Sequence, residues 1–89
     1  MRVVIVPSDG MVSVNGEDFR GIDLSFIPSN VHAVQWYGTF GEVEIVDEFG
    51  RAVANEPIDS LDAYQLAIDR WNTAKLEKLN YFPAISVTG

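Results

Sequence analysis

The chain has 89 residues, no cysteine and a formal net charge of −7. That length allows one domain, and the missing thiols exclude a disulfide framework and a thiolate metal site. Six basic residues against thirteen acidic ones leave no cationic footprint for nucleic acid and disfavour anionic membranes.

Residues 1–58 carry three basic and nine acidic side chains; residues 59–89 carry three and four. This imbalance is read as a solvated acidic surface, with an acidic docking face or a mimic of DNA charge as the rival. A hydrophobic fraction of 47% is that of a folded domain. The chain opens on Val3-Val4-Ile5-Val6, a β-branched run stopped by Pro7. A signal peptide needs about 7–15 apolar residues and a membrane helix about 20, so neither is expected. Pro7-Ser8-Asp9-Gly10 reads as a turn, Met11 to Val14 as a second strand, and Asn15-Gly16 as a second turn.

Phe19 to Leu24, with Ile22 and Leu24 flanking Asp23, predicts a short half-buried strand. Ser25 to Asn30 is a connection in which Phe26 and Ile27 pin the chain onto the core and Pro28 disfavours a central strand. Val31 to Tyr37 is apolar on both faces and predicts a central strand of uncertain orientation. Glu42 to Val46 alternates, with glutamates out and Val43 and Ile45 in. Asp47 to Gly50 is a turn, and Arg51 to Ala54 a final short strand, before Asn55-Glu56-Pro57-Ile58 ends the β part.

The period then changes. Ser60 is an N-cap candidate for a helix from Leu61 to about Leu79. Leu61, Tyr64, Ala67, Ile68, Trp71 and Ala74 form one stripe at spacings of three and four. Acids lie toward the N-terminal half and Arg70, Lys75 and Lys78 toward the C-terminal half, complementing the helix dipole. Asn80 and Pro83 mark its end. Residues 80–89 form an apolar tail, read as an edge strand, a packed loop or a partner-binding segment. The fold class is therefore α+β: one domain over residues 1–89, with a strongly curved antiparallel sheet of five or six short strands and one C-terminal helix on its open face.

Chemistry is sparse. His32 is the only histidine, and a base or a zinc site needs partners that the sequence does not supply. Asp47 and Glu48, near Glu42 and Glu44, read as a solvated edge in preference to a catalytic pair or an oxygen-only calcium site. Gly38-Thr39-Phe40-Gly41 is no phosphate loop, and its glycines are assigned to turn positions of positive φ. No catalytic, cofactor-binding or metal-binding residue is assigned, and no enzymatic activity is expected. Trp36 and Trp71 are expected to be the two halves of one core. Tyr37 and Phe40, at a strand end and turn, are candidates for protein contact, as are Tyr81 and Phe82 in the tail.

Ser8-Asp9-Gly10 with Val12-Ser13-Val14, Gly21-Ile22-Asp23-Leu24-Ser25, His32-Ala33-Val34-Gln35-Trp36-Tyr37-Gly38 and Gly50-Arg51 ahead of the helix form a series. It resembles small uncharacterised proteins encoded among the tail genes of tailed bacteriophages and prophages. The resemblance covers most of residues 2–71, and the run at 32–38 is its most distinctive part. It implies a minor tail component or assembly helper with other tail proteins as partners, present in the bacterial cytoplasm during assembly or in the virion. It supplies no catalytic residues.

Overall fold

Alternation along the strands sorts the side chains onto two faces. In the computed structural model, which describes the backbone of residues 1–88 and the side chains of residues 1–79, Val3 and Ile5 of β1 (Val3–Val6) and Val12 and Val14 of β2 (Met11–Val14) are buried. Their neighbours Val4, Val6, Met11 and Ser13 are half-buried on the opposite face. Four more strands complete the sheet: β3 (Glu17–Phe19), β4 (Val31–Trp36), β5 (Gly41–Ile45) and β6 (Glu56–Ile58). The spatial order is β3-β2-β1-β4-β5-β6, and every neighbouring pair is antiparallel. The sheet is open, and the helix α1 (Gln65–Thr88) follows it, so the class is α+β with six strands.

The weak alternation of β4 has a local cause. Val31 faces Ile45 and Ala33 faces Glu44, so two steps on β4 oppose one on β5. This bulge resets the phase of the strand. Val31, Val34 and Trp36 therefore join one core, although strict parity separates Val31 from the other two. His32, within the bulge, is exposed.

Two strands differ from expectation. The strand predicted over Phe19–Leu24 is replaced by Glu17–Phe19. Asn15 (φ 52°) and Gly16 (φ 85°) make a two-residue hairpin turn, so pairing resumes at Glu17, opposite Val14. Beyond Phe19 the chain leaves the sheet: Gly21 takes φ 75° and the Asp23 carboxylate accepts the Ser25 N–H at 3.0 Å. The strand predicted over Arg51–Ala54 is reduced to a single bridge between Val46 and Ala52. The pairing partner of β5 is instead Glu56–Ile58, and Pro57 is tolerated there because β6 is an edge strand.

The helix begins later than its pattern predicts: the N-cap of the opening 3₁₀ turn is Leu61 and not Ser60, and the α-helix starts at Gln65. The Ser60 hydroxyl accepts the Asp62 N–H at 3.1 Å, and one 3₁₀ turn (Asp62–Tyr64) leads into α1. Leu61, Ala67, Ile68 and Trp71 are buried in the core with Trp36. The helix packs on β2 and β3. Trp71 Nε1 donates to the Glu17 carbonyl at 2.9 Å, and its ring meets Phe19 edge-on at 5.7 Å. Burying a tryptophan with its N–H satisfied avoids the cost of an orphaned donor. The helical backbone continues past Asn80 and Pro83, where the sequence predicts its end, even though Pro83 has no N–H for the Leu79 carbonyl.

Candidate functional site

Trp36 and Tyr37 are consecutive, and alternation sends them to opposite faces. Trp36 is 7% exposed and Tyr37 45%. The Tyr37 N–H donates to the Phe40 carbonyl at 2.8 Å, which closes the β4–β5 turn with Gly38 at φ 117°. The rings of Tyr37 and Phe40 then lie 5.2 Å apart, with Phe40 59% exposed. Gly41 is not the positive-φ turn residue expected of it. A Cβ there would lie 2.3 Å from the Gln35 carbonyl oxygen and 2.9 Å from the Trp36 ring. It is glycine because the buried indole and the neighbouring strand approach it so closely.

The aromatic pair is held by a residue remote in sequence. β1 pairs with β4 so that Val3 faces Trp36, which brings Arg2 beside Tyr37. The Arg2 guanidinium stands 4.5 Å from the Tyr37 ring centroid. It donates to the carbonyls of Trp36 at 3.0 Å and Val3 at 2.9 Å and to the Gln35 side-chain oxygen. Gln35 in turn donates to Glu44 at 3.1 Å, and the Tyr37 hydroxyl donates to Glu42 at 3.4 Å. An exposed cation–π contact contributes about 0.5–1 kcal/mol. Together these contacts restrict the Tyr37 ring.

The other candidates are dispersed. His32 is exposed on β4, and among the described residues no three His, Asp or Glu side chains are grouped to hold a metal ion. Asp47 is engaged locally: its carboxylate accepts the N–H groups of Phe49 and Arg51, each at 2.9 Å, and meets the Arg51 guanidinium at 3.2 Å. These bonds, led by the Arg51 backbone N–H, hold the Asp47 carboxyl below its ordinary range. Hydrogen bonds from Ser25, assisted by Arg70, do the same for Asp23. Burial, with Glu56 adding to it, raises the Tyr64 phenol. The side chains of Tyr81 and Phe82 lie outside the described residues.

Three surface depressions among the described residues lie away from His32 and Trp36. One of about 220 Å³ lies between Ile22, Asp23 and Arg70. Another, of about 540 Å³, runs along Pro7, Leu24, Ile27 and Pro28. A third, about 590 Å³, lies beside Asn30, Asp47 and Glu48. No described helix is long and apolar enough to cross a membrane.

Several of the acidic residues are paired with cations. Asp9 and Asp18 meet Arg20, Asp23 meets Arg70, Glu17 meets Lys75 and Asp47 meets Arg51. Glu42 and Glu44 have no cation within ion-pair distance among the described residues. Sequence reasoning missed Arg2 and Gln35 as members of the site. Their meeting depends on the β1–β4 pairing, across more than thirty residues, and no local pattern encodes it. No protein-family model, curated protein or solved structure matches the chain.

Proposed function

We propose that the chain is a non-enzymatic protein-interaction component of a phage or prophage tail module, a minor tail component or assembly helper. It contacts other tail proteins in the host cytoplasm during assembly or in the virion. The observation that carries this reading is the exposed Tyr37–Phe40 pair, braced by Arg2 on the sheet face turned away from α1. Paired, pre-ordered aromatics are typical anchors of protein interfaces. The resemblance of residues 2–71 supplies the tail context.

The test is copurification from a host producing the particle. A tagged chain is expected with virions or with tail assembly intermediates, and its absence from both contradicts the reading. A second reading, an acidic regulator of a basic host protein, is favoured by one observation. Residues 42–69 hold eight acidic residues and one basic residue, whereas the rest of the chain balances five against five.

A further inference from the structure

The face of the sheet turned away from α1 has a defined chemical pattern. Val4, Gln35, Glu42 and Pro57 lie in register across four strands. Val4, Val6 and Met11 form a half-buried apolar floor on β1 and β2. Glu42 and Glu44 rise from β5 beside it, and Tyr37 and Phe40 close one end. Of the eight acidic residues within 42–69, the register sets Glu42 and Glu44 on this face and Glu56, opposite Val43, on the other.

Every basic side chain is already engaged. Arg2 lies on Tyr37, and Lys78 lies over Phe19. Arg20, Arg51, Arg70 and Lys75 pair with carboxylates. The carboxylates of Glu42 and Glu44 are bound only by neutral donors, Tyr37 and Gln35. Arg2 places a cation at the Tyr37 tip, but the β5 part of the face carries the two carboxylates of Glu42 and Glu44, which oppose an acidic partner there and the same strand of a second copy.

We infer that this face, from the Tyr37–Phe40 tip along β5, docks a lysine- or arginine-bearing extended segment of a partner protein. Apolar side chains of the segment rest on Val4 and Val6, and its cations meet Glu42 and Glu44. The inference rests on the interaction reading above and names the partner chemistry for that surface.

The test uses a fluorescently labelled short peptide of alternating lysine and leucine, titrated into the full chain at about 0.15 M salt, where diffuse surface attraction is screened. Saturable binding is expected, with amide shifts in the NMR spectrum centred on Tyr37 and residues 42–44. E42Q/E44Q is expected to weaken it roughly tenfold, at about 0.7 kcal/mol per lost pair. E56Q/D69N removes the same charge from the opposite face and from α1 and is expected to change it less than about twofold. Equal weakening by the two double variants, shifts spread over the whole acidic region, or no saturable binding would overturn the inference. Unchanged melting temperatures show that each variant is folded. Peptide binding with this dependence but no copurification with tail particles leaves the docking face standing and removes only the phage-tail reading. Copurification without it does the reverse.

Discussion

Trp36 and Tyr37 differ by one step along the chain, and that step separates core from exposed surface. Trp36 faces the layer shared with Trp71, where an indole is nearly enclosed and Gly41 leaves room for it. Tyr37 faces the side turned away from α1, where its ring is stacked by Phe40 and Arg2 and still 45% exposed. The two residues are similar in size and aromatic character, so chemistry alone does not decide their roles. The pleat does, and the β4 bulge sets its phase.

The sharpest way to break this contrast is to truncate each side. Trp36→Ala is expected to cost about 3–5 kcal/mol of stability in urea unfolding, while Tyr37→Ala with Phe40→Ala is expected to stay within about 1 kcal/mol of the parent. Equal losses would merge the two roles. Trp71→Ala is expected to fall close to Trp36→Ala, because it removes a buried ring and leaves the Glu17 carbonyl without its donor. Gly41→Ala is expected to cost roughly 1–3 kcal/mol by overpacking, read in the same unfolding series. The smallest effect is in the acidic turn. Asp47 has a lowered carboxyl pKa, so its contribution is present above the ordinary carboxylate value near ~4 and is lost as pH falls below it. The Phe49 and Arg51 amide shifts are expected to move on acidification. In Asp47→Asn, where the side-chain oxygen still accepts but cannot titrate, they are expected to move much less.

Much of the fold was legible because its signals are local. Asn15-Gly16, the alternating valines of β1 and β2 and the stripe from Leu61 to Ala74 each act within a few residues. The misplaced strands have a different origin. Whether residues 17–19 or 19–24 pair with β2 depends on how tightly the hairpin closes. Whether 51–54 or 56–58 pairs with β5 depends on an Asp47 turn that holds the preceding backbone. The contact site was half legible: position at a turn identified Tyr37 and Phe40, but Arg2 and Gln35 join them only through a long-range strand pairing.

The central proposal is that the sheet divides into a packed face and a contact face. Its most direct test is capture of Tyr37→Ala/Phe40→Ala by isolated tail assembly intermediates, beside the parent chain and at matched urea midpoints. The parent is expected to be captured and the folded double variant to be lost from the intermediates. Capture of the variant at the parent's level would contradict the proposal.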